Sequence, residues 1–182
     1  TAALALIAVA LVGRVESGAG GAYLLGNWAA PFGIALALDR LSAMMLALTA
    51  AIALPALLAA LDGWAGRAPH FHAFFQFQLA GLNGAFLTAD LFNLFVFFEV
   101  LLMSSYALLL HAADGRALTA GFHSVVVNLV RSSPFLVAAG MIYGLTGTTN
   151  LAQIGKLLAD PRAVQAPWMV GACCALMFVG FA

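Results

Sequence analysis

Charge is what this sequence has least of. Only 8% of its 182 residues are charged, and 7 basic side chains balance 7 acidic ones. A soluble domain carries about 25% charged residues, so there is too little polar surface here to face water on all sides. With no basic excess the chain lacks the electrostatic footprint of a nucleic-acid binder, and it has no acidic tail. Cysteine is nearly absent too. Cys173 and Cys174 are adjacent in an apolar run, and neighbours on a helix point about 100° apart, which suits neither a disulfide nor a metal pair. Their reading is packing. His70 and His72 form a lone His-x-His, and no His/Cys cluster has metal-ligand spacing, so no metal site is expected. The mean hydropathy of +1.05 excludes disorder.

Apolar residues fill the space that charge leaves, at 64% of the chain. Six stretches are almost free of charge: Thr1–Gly13, Leu41–Leu61, Phe71–Ala89, Leu91–Ala113, Ala117–Thr149 and Ala163–Ala182. A bilayer core needs roughly 20 apolar residues as a helix. Five of the stretches fit and the first is short. They are too long for barrel strands and do not alternate. The first run has no initiator Met, basic flank or cleavage site, so it is not a signal peptide. It begins abruptly and the last run stops while still apolar, as expected of a piece of a longer membrane protein. The expected fold class is therefore all-α, a polytopic transmembrane helix bundle of about six spans, forming one partial domain over residues 1–182. No internal repeat is found.

The spans are read as Thr1–Gly13, about Phe32–Leu61, Ala73–Leu87, Leu91–His111, Leu118–Tyr143 and a last one starting near Trp168. The link Arg14–Pro31 is polar and Gly-rich and predicts a turn or short hairpin at the membrane surface. Thr88-Ala89-Asp90 predicts a tight reversal, with Asp90 capping the next helix. The middle of the link Gly144–Pro167, residues Asn150–Ala159, predicts a short surface helix. Tyr23, Trp28, Trp64, Tyr143 and Trp168 fall near span ends, as an aromatic belt does. One set of links carries Arg14, Lys156 and Arg162, the other Arg67 and Arg116, and three against two gives no orientation.

Polar residues inside the spans carry the functional argument. Glu99 lies near the middle of Leu91–His111, between Phe97, Phe98, Val100 and Leu101. An acid at bilayer mid-depth costs about 2.5–3.5 kcal/mol on insertion scales and marks ion or proton handling. Its structural alternative is an ion pair or a hydrogen-bonded neutral acid. Arg131 lies at a similar depth in Leu118–Tyr143 and keeps its charge. It is either a charge that tunes Glu99 or the static partner that lets both insert. Asn128, three residues earlier, shares its helix face. His123 is either a proton relay or an interfacial histidine. Asp39, beside Arg40, belongs either to a polar path or to the helix start as a snorkelling or capping residue. Gln76 and Asn83, two turns apart on one face, either hold water or bond neighbouring helices. Pro134 predicts a kink or local unwinding just after Arg131. Gly140 and Gly144 form a GxxxG, read as a close-packing face.

Three stretches together resemble one family: GNWAAPFGIALALDRLSAMMLALT (26–49), GLNGAFLTADLFNLFVFFEVLLMSSYALL (81–109) and IYGLTGTTNLAQI (142–154). They are similar to the D-type subunit of the Mrp multisubunit monovalent cation/proton antiporter, itself homologous to the antiporter-like subunits of respiratory complex I. The resemblance implies that the chain is a fragment of a fourteen-helix subunit, covering about its second through seventh helices. It implies proton movement through Glu99, which matches the family's fifth-helix glutamate. It implies exchange of sodium or potassium for protons, partner subunits in a hetero-oligomeric membrane complex, and a bacterial cytoplasmic (inner) membrane location. It also implies no redox cofactor and no enzymatic reaction in this subunit, and links 14–31, 88–90 and 144–167 facing outwards. The chain departs from the family at Arg131 and Pro134, where members carry small or apolar residues, and stops short of the seventh-helix lysine. The rival expectations are an antiporter-like subunit of a proton-pumping NADH:quinone oxidoreductase, and a membrane scaffold with a static Glu99–Arg131 bridge.

Overall fold

The computed structural model describes residues 1–63, 65–66, 70–110, 115–159 and 167–181. Trp64, Arg67, Pro69, His111, Asp114 and Arg162 lie outside the described residues. The elements are α1 (Ala2–Glu16), β1 (Gly21–Leu24), β2 (Ala35–Leu38), α2 (Arg40–Leu61), α3 (Phe71–Leu87), α4 (Leu91–Leu109), α5 (Gly115–Thr146), α6 (Leu151–Ala159) and α7 (Pro167–Phe181). Helix accounts for 79% of the structure, so the paired strands β1 and β2 do not change its class. Among the described residues three helices are long and apolar enough to cross a membrane: Arg40–Leu61, Leu91–Leu109 and Gly121–Thr146. The apolar part of α7, Trp168–Phe178, is shorter. Length and composition thus support three spans, fewer than the six expected, because α1, α3 and α7 have only 15, 17 and 15 residues.

The chain divides into two compact units. The first comprises Thr1–Ala22, Ala37–Leu87 and Phe97–Phe122. In it α1 packs on α2 through Ala8, Leu46 and Ala50, with Ala5, Leu11, Leu38 and Leu87 around them. Small side chains allow that close approach where lipid gives helices no hydrophobic reason to associate. The helix α2 starts where Asp39 caps it: its carboxylate accepts the Ser42 N–H at 2.7 Å. This corrects the span expected from Phe32. Apolar residues flank Asp39 and Arg40 on both sides, but residues 35–38 are strand. Thr49, buried within α2, donates its hydroxyl to Met45 O at 2.8 Å, which satisfies it without a partner helix. Two glycines hold α3 against the second half of α4. A Cβ at Gly81 would come within 2.7 Å of Leu101 N, and one at Gly84 would run into the Phe97 ring.

The second unit comprises Tyr23–Leu36, Thr88–Val96 and His123–Ala182. Its core gathers Leu91 of α4, Phe135, Ala138, Ala139 and Ile142 of α5, Ile154 of α6, and Cys173 and Met177 of α7. Phe95 stacks on Phe135 with ring centroids 5.9 Å apart. Cys173 is buried in this core, as the packing reading requires, whereas Cys174 is exposed and does not pack there; both are free thiols. Backbone bonds join three distant segments. Ala89 N–H donates to Ala35 O, Leu91 N–H to Thr149 O, and Leu151 N–H to Ala89 O, each at 2.9 Å. Asp90 caps α4 as expected, accepting the Asn93 N–H at 2.9 Å. Asn150 caps α6 through the N–H groups of Ala152 and Gln153 at 3.1 and 3.2 Å.

Two expectations bear on α5. The helix runs uninterrupted from Gly115 to Thr146 through Pro134, so there is no local unwinding. The proline forfeits a single backbone donor, the one that would reach Val130 O, and a long helix tolerates that loss. Among the described residues a Cβ on Gly140 or Gly144 meets nothing within 4 Å, so the close packing read from that GxxxG is not seen there. The close approach occurs instead at Gly81 and Gly84.

Candidate functional site

Glu99 sits at the ninth position of α4, a helix whose other side chains from Leu91 to Leu102 are apolar apart from Asn93. It is half-buried and lines a groove of about 380 Å³ with Phe74 and Phe77 of α3 and Val100, Met103, Ser104 and Ala107 of α4. The glycine contacts set this arrangement: Gly81 and Gly84 bring the α3 backbone against Leu101 and Phe97, two residues either side of Glu99. Among the described residues Glu99 is the one ionisable group in the groove wall, and Ser104 is its other polar member. The Ser104 hydroxyl donates to Val100 O at 2.7 Å, so its lone pairs stay open to a donor. The groove thus presents one carboxyl and, five residues along the same helix, one hydroxyl on otherwise apolar walls.

The other candidates distribute as follows. Asp39 is exposed and occupied as the cap of α2, where the Ser42 N–H holds its carboxyl below the usual carboxylate range. Gln76 is exposed and donates to Thr1 Oγ1 at 3.0 Å, a bond between α3 and the start of α1. Asn83 shares that flank of α3. It lines a cavity of about 110 Å³ with Ile7, Ala8, Leu11 and Leu46, and its buried Oδ1 has no donor among the described residues. His123, Asn128 and Arg131 lie on α5 in the second unit, His123 and Arg131 exposed and Asn128 half-buried. Glu99 belongs to the first unit. Among the described residues no three His, Cys, Asp or Glu side chains gather as metal ligands.

Sequence reasoning missed two features beside the acid. One is the Gly81/Gly84 contact. The other is Gln78, whose buried Oε1 also has no donor among the described residues. Gln78 lies one turn before Gly81, on the flank that the glycines turn towards α4, and that spacing was the available signal.

The family described as "NADH:quinone oxidoreductase/Mrp antiporter, TM" matches residues 88–182, just over half of the chain. The chain is 50% identical over 160 residues to the D-type subunit of a probable K(+)/H(+) antiporter of Rhizobium meliloti, covering 87% of this chain and 30% of that protein. It is 41% identical over 138 residues to the D-type subunit of an Na(+)/H(+) antiporter of Alkalihalophilus pseudofirmus, covering 75% of this chain and 28% of that protein. Its fold superposes on a chain of the Mrp complex from Dietzia sp. with a TM-score of 0.87 at 32% identity, over 100% of this chain and 34% of that one. The chain thus spans about a third of the length of the proteins it matches.

Proposed function

We infer that this chain, which belongs to the NADH:quinone oxidoreductase/Mrp antiporter transmembrane family, is part of the proton-translocating membrane subunit of a monovalent cation/proton antiporter. The whole subunit exchanges sodium or potassium for protons and works beside other subunits in one membrane complex. Residues 1–182 form a partial domain of it, with six crossings out of about fourteen. D-type antiporter relatives at 50% and 41% identity favour this over the oxidoreductase branch that shares the family description. Sodium and potassium both occur among those relatives' names, so the cation is one of these two.

Glu99 is the proton carrier. One observation carries this: a lone half-buried acid, midway along a helix long and apolar enough to cross a membrane, lining a groove that has room for water. The carboxylate takes a proton from water on one side, is neutral while the proton resides on it, and releases it when a nearby positive charge favours the anion. Arg131 is proposed as a charge that biases this step and His123 as a relay. Asn128 and Asn83 extend the polar path. Asp39 and Gln76 contribute to its surroundings through the helix start and the α1–α3 bond.

The test is Glu99→Gln and Glu99→Ala in the full-length subunit within its complex, assayed in everted vesicles. The expected result is loss of cation-driven proton flux with assembly intact. Wild-type flux in either variant overturns the assignment.

A further inference from the structure

Two cavities lie along the seam between α1 and α2. The outer one, about 280 Å³, is lined by Val15 and Glu16 of α1 and by Arg40 and Ala43 of α2. The inner one, about 110 Å³, lies one to two turns further along both helices, at Ala8 and Leu11 of α1 and Leu46 of α2. Asn83 of α3 closes it. The outer wall carries one charge of each sign. The inner wall is apolar except for Asn83, whose buried Oδ1 has no donor among the described residues.

We propose that this seam is a water inlet that enters past Glu16 and Arg40 and ends on the side-chain oxygen of Asn83. Three observations combine. The inner cavity has several times the roughly 10–15 Å³ that a single water requires. An apolar cavity of this kind stays dry unless a polar group anchors water in it, and Asn83 supplies both an acceptor and two amide donors. A buried carbonyl without a donor is unfavourable, and a water molecule relieves it at small entropic cost. The direction follows from the ends of the helices. Glu16 ends α1 and Arg40 begins α2, so both stand at the membrane surface, and the seam descends about 10 Å from Val15 to Ala8 at 1.5 Å per residue. Water at that depth reaches Asn83 on the flank of α3 opposite its glycine face, so it feeds the polar path proposed above at Asn83 and does not open into the Glu99 groove itself. The inlet depends on membrane insertion and not on the role of Glu99, so either can fail while the other stands.

The experiment is pulsed hydroxyl-radical labelling of the full complex in lipid nanodiscs, read residue by residue by mass spectrometry. Leu46 is buried in the first unit, so its oxidation reports water inside the seam. The expected result is clear labelling of Leu46 and Leu11 in the wild type. Labelling should fall at least about threefold in Asn83→Leu, which removes the anchor, and persist in Asn83→Ser, which keeps a hydroxyl. Unlabelled Leu46 in the wild type overturns the inlet, as does labelling that Asn83→Leu leaves unchanged. If Asn83→Leu fails to assemble, the wild type and Asn83→Ser decide: labelled Leu46 in both supports the inlet, and unlabelled Leu46 in either overturns it.

Discussion

Thr149 donates its hydroxyl to Oδ2 of Asp90, while Oδ1 of the same carboxylate caps α4 through the Asn93 N–H. Asp90 is 4% exposed, so one buried carboxylate starts a transmembrane helix and ties it to the link before α6. Asn93 adds a side-chain bond to Thr88 Oγ1 at 3.0 Å.

Asp90→Ala is therefore expected to destabilise the protein by about 1–3 kcal/mol, since it removes a cap and leaves the Thr149 hydroxyl unpaired. Asp90→Asn keeps an acceptor for the Asn93 N–H and should cost less. Thermal unfolding of the purified complex in nanodiscs ranks the wild type and both variants, and equal midpoints would show that this bond set contributes nothing.

Gly84→Ala should cost about 1–3 kcal/mol by overpacking, because its methyl group meets the Phe97 ring. Gly140→Ala should be neutral or slightly stabilising, because its methyl group meets nothing within 4 Å. The same unfolding assay separates them, and the reverse order would restore the GxxxG at 140–144 as the packing face.

Asp39 gives a pH signature. The Ser42 N–H lowers its folded pKa below the ordinary value of 3.8. Its contribution is present above that value and disappears as pH falls through the lower folded pKa. Asp39→Ala should thus weaken the protein by about 1 kcal/mol at pH 7, with the deficit shrinking once the wild-type carboxyl is protonated. Unfolding at pH 7 and at pH 3 measures both, and a deficit that is constant with pH would locate the effect elsewhere.

Arg131→Ser should displace the pH optimum of antiport, because the charge proposed to bias proton release from Glu99 is gone. Flux measured against pH in everted vesicles gives the answer. A superimposable profile would separate the two residues functionally.

Features written in short-range chemistry were legible from the sequence. Asp90 as a cap needs only the residues around it, and so does the surface helix that Asn150 begins. The isolation of Glu99 among phenylalanines and leucines was visible as a single acid in an apolar run. The rest depended on partners far along the chain. Residues 35–38 are as apolar as α2 beyond Asp39 and Arg40, and pairing with β1 and with residues 88–89 makes them a strand. Gly81 and Gly84 look no different from Gly140 and Gly144 until Leu101 and Phe97 are brought to them. Gln76 and Gln78 are two residues apart, yet one bonds Thr1 and the other buries an oxygen without a donor among the described residues. What surrounds a polar side chain in a helix bundle is tertiary information.

The backbone bonds among Ala35, Ala89 and Leu151 also constrain the path of the chain through a bilayer. Segments joined by hydrogen bonds lie together, so if these links stand at a membrane surface, any crossings between residues 35 and 89, and between 89 and 151, are even in number. If α2 then passes through, the 17-residue α3 has to bring the chain back, and if α4 passes through, α5 does the same. On that condition α3 returns the chain, although it is shorter than the helices that qualify as spans by length.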